Sequence, residues 1–286
     1  MATPPPSPPP SLKHFPAATT DSAEIVAAIR ADGGVIIEGM YDAATIGAMR
    51  DAVLEKAGWG QGDADADAAP GSATFGYSTA LETHTDAAQE AGTNFVGGNT
   101  IRFSSLGKLA PAPYFTMLDN PHYKAVCDAM LLPYCGTYWV NTAQAMLIGP
   151  GSTAQPLHHD DTTWPQVSAR LASSDVDAPE LNIGAMIGLD TIEEDMGATR
   201  VVPGSHHPAY RAERRKRGGG PEESVPAELG AGDAMLYTGR TRHGGGANIT
   251  QDRVSRRAPL IYSLSLSLSL SLCVCVLKCS CFSSAV

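Results

Sequence analysis

Cysteine is almost missing from the main body of this 286-residue chain: four of its six cysteines fall between positions 273 and 281. The other two, Cys127 and Cys135, cannot staple a domain of this size, which excludes a disulfide scaffold. They are expected to be buried thiols of a reducing, cytoplasmic compartment. Basic residues are the minority charge, 20 Lys plus Arg against 30 Asp plus Glu. A nucleic-acid binder needs a basic face, so that class is excluded and a small-molecule partner is expected. The N-terminus has neither the apolar stretch of a secretory signal nor the arginine spacing of a transit peptide. Aromatics make up only 6%, but 43% of residues are hydrophobic, enough for a buried core, so wholesale disorder is excluded. At roughly 150 residues per domain, the length suits one or two domains.

The two ends differ from the middle. Residues 1–20 open with MATPPPSPPP, which forms neither helix nor ladder and predicts a disordered, proline-rich leader. Residues 259–286 contain SLSLSLSLSL followed by CVCV. Ser/Leu alternation is what a TC dinucleotide repeat encodes, and Cys/Val alternation is what a TG repeat encodes, so this low-complexity tail reads as translated non-coding repeat. Two other readings are weaker. Leu260 to Leu277 approaches the ~20 residues of a membrane span but is interrupted by Ser, Tyr and Cys, so no membrane anchor is expected. Cys273, Cys275, Cys279 and Cys281 superficially resemble a thiolate metal cluster. The Ser/Leu alternation is also strand-like.

Between these ends, residues 21–258 read as one domain, helical over 21–136 and β-rich over 137–258. Asp21 with Glu24 is a capping-box start, with Ile25, Ala28 and Ile29 on one helical face. Gly33-Gly34 ends that helix, and Val35-Ile36-Ile37 predicts a short buried strand. Asp42 caps a second helix with the stripe Ile46, Met49, Val53, Leu54, and residues 121–132 predict another. Residues 60–95 have no period and are expected to be a flexible insertion, an acidic calcium loop being the alternative. Beyond residue 137 come short apolar runs: 138–140, 145–148, 183–189, 199–202 and 234–237. They alternate with turn signals such as Pro203-Gly204-Ser205 and Gly230-Ala231-Gly232-Asp233. The expected fold is mainly β with N-terminal helices, a jelly-roll core flanked by α-helices.

The chemistry lies in this second half. Residues 155–161, QPLHHDD, contain His158-x-Asp160 and, overlapping it, His159-x-Asp161. On a strand, residues i and i+2 share a face, so either pair offers an imidazole and a carboxylate to one ion. His243, about 85 residues later, supplies a third donor. Two His and one carboxylate form the facial triad of non-haem Fe(II) oxygenases, with three positions left open.

Three stretches, IGPGSTAQPLHHDD, IGLDTIEEDMGATRVVPGSHH and GDAMLYTGRTRHGGGANIT, together with GNTIRFSSLGKL upstream, resemble the phytanoyl-CoA dioxygenase family of Fe(II)/2-oxoglutarate-dependent oxygenases. The resemblance implies a double-stranded β-helix (cupin-like) core, with Fe(2+) as cofactor and 2-oxoglutarate and O2 as cosubstrates. The family pattern Gln-x-Leu-His-x-Asp selects His158 over His159, making His158, Asp160 and His243 the iron ligands. Arg256 is implied as the cation for the distal carboxylate of 2-oxoglutarate, ahead of Arg253 and Arg257, with Gln155 and Thr199 also on the cosubstrate. The implied reaction hydroxylates or desaturates a small organic substrate and releases succinate and CO2. Asp160 argues against halogenation, which needs a small residue at that position.

Other features have plainer readings. Trp164 either lines the substrate pocket or fills the barrel core. His206 and His207 belong to a structural turn. Arg211 to Arg217 (RAERRKR) reads as a solvated hairpin tip, with a nuclear signal or a basic lid as alternatives. Two further functions remain open. One is a catalytically incompetent or truncated jelly-roll protein, since the tail replaces whatever follows Arg256. The other is a cupin-like metal-binding isomerase, which would need no carboxylate-binding arginine after the distal histidine.

Overall fold

The first helix begins where the sequence says it can. Asp21 accepts a hydrogen bond from the Ala23 amide at its N-terminus, and Gly33 closes it in the left-handed region at φ 83°. This helix, α1 (Ser22–Asp32), leads into strand β2 (Gly34–Glu38). The computed structural model describes residues 11–57, 100–165, 167–168, 179–216, 223–250 and 260–268. The expected insertion at 60–95 lies outside them.

Among the described residues ten strands form two sheets. The larger has the order β1-β2-β8-β5-β10-β4-β3 and the smaller β7-β6-β9. Their ranges are β1 Lys13–Pro16, β3 Thr100–Phe103, β4 Tyr138–Ile148, β5 Asn182–Gly188, β6 Thr199–Val201, β7 Val225–Ala227, β8 Ala234–Thr238, β9 His243–Gly244 and β10 Leu260–Leu268. All pairings are antiparallel except β1 with β2. The two sheets face each other as a jelly roll, not as a closed barrel. Among the described residues no helix is long and apolar enough to cross a membrane.

Period-2 alternation decides which layer each side chain enters. Val35, Ile37, Ala145, Leu147, Ala185, Ile187 and Leu236 face the helices. There they meet Ile25 and Ile29 of α1, Met49 and Val53 of α2 (Ala43–Lys56), and Tyr123, Val126 and Met130 of a proline-initiated helix, Pro121–Met130. Two shorter helices, α3 (Leu106–Leu109) and α4 (Pro111–Leu118), precede that one, which is therefore α5. The intervening strand residues turn the other way. Ile36, Met235 and Tyr237 pack on Val201 and Ala227 of the small sheet and on Leu229 just beyond it, while Met146 and Ile148 pack on Ile192 and Ala198.

Several expectations need correcting. Lys13–Pro16, expected inside a disordered leader, pair with Val35–Glu38 as the edge strand β1, because four consecutive residues after the proline run can extend beside β2. Residues 1–10 lie outside the described part. Strands β1, β2 and β3, all before residue 137, join the large sheet. The runs 138–140 and 145–148 are one eleven-residue strand, held together by β10 along its length. That strand comes from the tail. Leu260–Leu268 lies between β4 and β5, with Leu266 buried against the helical layer. The basic stretch 211–216 is not a hairpin tip but part of a helix, α6 (Pro208–Lys216), with Arg211 half-buried.

Candidate active site

Two segments meet at one end of the jelly roll. His158 and His243 form an isolated antiparallel bridge, exchanging backbone hydrogen bonds of 2.8 and 3.0 Å. Leu157 is held by Arg242, whose Nη2 donates to its carbonyl at 2.7 Å. The chain is extended through His159 and then turns into a 3-10 segment, Asp160–Thr163. Asp160 thus takes its direction from the start of a turn, not from the continuous strand the spacing suggests.

His158, Asp160 and His243 bring one donor atom each within 4.8 Å of one another. Asp160 Oδ1 is 3.7 Å from His158 Nε2 and 3.6 Å from His243 Nε2. The backbone sets both tautomers. His158 Nδ1 donates to the Pro156 carbonyl and His243 Nδ1 to the Thr241 carbonyl, each at 3.0 Å. A carbonyl can only accept, so each Nδ1 carries a hydrogen, and in the neutral tautomer that leaves each Nε2 to offer a lone pair to the site. Burial, and then the neighbouring His243, lower the pKa of His158, which favours its neutral, ligating form. Two neutral imidazoles and one carboxylate fit a divalent transition metal, and the mixed N/O set suits iron. The His243 side chain is 3% exposed against 22% and 30% for His158 and Asp160, so the cluster is open to solvent at His158 and Asp160.

The overlapping pair points elsewhere. His159 Nδ1 donates to the Arg240 carbonyl at 2.5 Å, and burial pulls its pKa down to about 4. Asp161 is buried against Ser168 and Arg211. Gln155 accepts from the Gly245 amide through Oε1 at 2.8 Å, beside the bridge. Thr199 is buried at the start of β6, opposite Ala227. Trp164 is half-buried against the helix-facing core. Arg253, Arg256 and Arg257 lie outside the described residues. His206 and His207 donate to the carbonyls of Arg30 and Ala31 at the end of α1, each at 3.0 Å.

One residue not named as a candidate in the sequence also belongs here. Tyr237 of β8 donates its hydroxyl to Asp160 Oδ2 at 3.1 Å, and its ring lies 4.6 Å from that of His243. Its place on the face opposite Leu236 was readable from alternation, but its partner was not. Arg102 of β3 stands across from Met146 on the inner face and donates to Gln144 at 3.2 Å. Among the described residues its buried Nε has no hydrogen-bond partner, an orphan donor suited to an anion.

The sequence profile of phytanoyl-CoA dioxygenase (PhyH) matches residues 29–258, most of the chain. The chain belongs to the phytanoyl-CoA dioxygenase family. Among its family relatives, "Dioxygenase aneA" of Aspergillus aculeatus is 35% identical over 165 residues, covering 57% of this chain and 53% of that protein. "Dioxygenase cdmD" of Talaromyces verruculosus is 28% identical over 247 residues, covering 85% and 74%. The chain spans about half the length of the curated relatives it matches at 33% to 35% identity. A similar crystal structure is that of HygX from Streptomyces hygroscopicus with nickel and 2-oxoglutarate bound. It matches with TM-score 0.56 and 17% identity, covering 88% of this chain and 89% of that one. At that identity the likeness speaks for the fold.

Proposed function

We propose that this phytanoyl-CoA dioxygenase family member is an Fe(II)- and 2-oxoglutarate-dependent dioxygenase that hydroxylates or desaturates a small organic substrate in the cytoplasm. The observation that supports this reading is the approach of two Nε2 lone pairs to one carboxylate oxygen, Asp160 Oδ1, at 3.6 and 3.7 Å. His158, Asp160 and His243 hold the metal. When bound, the iron couples oxidative decarboxylation of 2-oxoglutarate by O2, giving succinate and CO2, to oxidation of a substrate C–H bond. The protein's part is to orient and to exclude water. Gln155, oriented by the Gly245 amide, and Thr199 contact the cosubstrate, and Arg256 pairs with its distal carboxylate as a planar fork. Trp164 lines the substrate side. The buried free thiols Cys127 and Cys135 suit a reducing compartment.

The test is an anaerobic titration of the full chain with Fe(II) and 2-oxoglutarate, following the visible metal-to-ligand charge-transfer band. The band should need both additions and vanish in His158→Ala and Asp160→Ala. Folded protein that binds iron but gives no band and forms no succinate overturns the reading. A second reading, a catalytically incompetent jelly roll, rests on one observation: the segment after Arg256 is a Ser/Leu repeat. Under that reading metal binding persists while 2-oxoglutarate binding and turnover are absent.

A further inference from the structure

One carboxylate oxygen at the centre of the triad is already committed. Asp160 Oδ1 faces the two imidazoles, while Oδ2 accepts the Tyr237 hydroxyl at 3.1 Å. Among the described residues these are the partners of the Asp160 side chain. Nothing else fixes its rotation, because the residue opens a 3-10 turn and its side chain is 30% exposed.

The surroundings of Tyr237 are built to hold the hydroxyl there. The ring is 2% exposed and packs on the His243 ring, so one side chain touches two members of the triad. Across the sheet its register partner is Gly184 of β5. A Cβ at Gly184 would lie 2.3 Å from the Tyr237 ring and 2.6 Å from its hydroxyl oxygen, so the ring has its present place only because residue 184 has no side chain. A buried tyrosine needs some acceptor. Here the acceptor is the oxygen that must stay away from the metal if the carboxylate is to ligate through one atom.

We propose that Tyr237 is a positioning residue for Asp160: its hydroxyl holds Oδ2 back, leaving Oδ1 alone toward the two imidazoles and preserving open metal positions for cosubstrate and O2. This rests on the metal-site reading above. Released from Tyr237, the carboxylate is free to rotate and offer both oxygens, which changes the ligand field and weakens the preorganised site.

The experiment loads full-length wild type and Tyr237→Phe with Co(II) alone, measuring affinity by calorimetry and the ligand-field bands by visible spectroscopy, with His158→Ala as the site control. The expected result for Tyr237→Phe is a Co(II) affinity about 10–100-fold weaker, as for loss of other outer-shell partners of metal ligands, with altered bands. The metal-free melting temperature should change little. Affinity within twofold of wild type and superimposable bands overturn the proposal. Should Tyr237→Phe not fold, 3-fluorotyrosine introduced at 237 must shift the Co(II) bands while the same replacement at Tyr123 does not; no shift overturns it. Wild type that binds no Co(II) overturns both this proposal and the metal-site reading. Wild type that binds Co(II) without responding to 2-oxoglutarate overturns the dioxygenase reading alone, and the Tyr237 affinity ratio still decides this one.

Discussion

Arg211, in the middle of α6, places its Nη2 3.2 Å from Asp161 Oδ2, joining the basic helix to the residue next to Asp160. Asp161 is 3% exposed at its side chain and Arg211 16%, and Ser168 Oγ donates to the same carboxylate oxygen at 2.7 Å. Arg240 lies beside them, donating to the Pro179 carbonyl and 3.5 Å from Glu180. Two acids and two bases thus fill a buried cluster behind the histidine bridge. Removing one partner leaves an uncompensated charge, which typically costs about 3–5 kcal/mol. Arg211→Met should lower unfolding free energy by about that amount, and adding Asp161→Leu should recover much of it. A denaturant double-mutant cycle checks this; additive losses would show that the pair is not coupled.

Strand β10 places the tail at the centre of the large sheet, between β4 and β5. Without it β4 and β5 each lose a partner strand along seven to nine residues, exposing two long edges at the centre of the sheet. A chain ending at residue 258 should aggregate or lack a cooperative melt, and one ending at residue 268 should fold. Within the full chain, Leu266→Ala should cost about 2–5 kcal/mol. Circular dichroism melts of the three chains decide it, and cooperative folding of residues 1–258 would refute the role of β10.

Gly184→Ala is a sharper test of packing than its size suggests. The added methyl group would meet the Tyr237 ring at 2.3 Å, a distance that forces the ring to move. Overpacking of this kind typically costs about 1–3 kcal/mol. The same substitution at Gly47, where a Cβ meets nothing within 4 Å, should be neutral or stabilising because it lies within helix α2. Chemical unfolding of both variants checks the contrast.

His206 and Glu180 bend the pH profile of stability in opposite senses. Burial holds His206 down to about 4, against 6.5 ordinarily. Between those values the unfolded chain binds more protons than the native one, so stability falls as pH drops from about 6.5 toward 4. Burial pushes Glu180 up to about 7, against 4.5 ordinarily, with Arg240 opposing it. There the native state holds the extra proton, so stability falls as pH rises from about 4.5 to 7. His206→Gln should therefore flatten the acid limb and Glu180→Gln the neutral one. Urea midpoints across pH 4–8 check both.

The helices were readable because their signals are local. Asp21 and Gly33 bracket α1, and Asp42 caps α2 through Thr45. The strands of the second half were readable from period and turn residues. The close approach of His158, Asp160 and His243 had a local component, the nearness of His158 and Asp160 in the chain, although a 3-10 turn and not strand alternation directs Asp160. Its other half, the pairing of His158 with His243, joins residues 85 positions apart and comes from an isolated bridge between the segment before the 3-10 turn and strand β9. Arg211 was misread because seven largely basic residues look solvated until a buried acid is found for one of them. Tyr237 was missed because a tyrosine in an apolar run looks like core, and core it is, apart from one oxygen.

The amino-acid pattern alone determined which faces are apolar, where helices start and stop, and which residue types were available to hold a metal, because capping, turn chemistry and alternation act over a few residues. The tertiary structure decided everything that depends on distant partners. It set Tyr237 against Asp160 and Arg211 against Asp161, and it gave the Ser/Leu tail its register. That last case shows the reason most plainly. A repeat of period two fixes which face of a strand is apolar, but a slip of two residues presents the same pattern. Only pairing with β4 and β5 puts Leu266 opposite Val140 and Ile183.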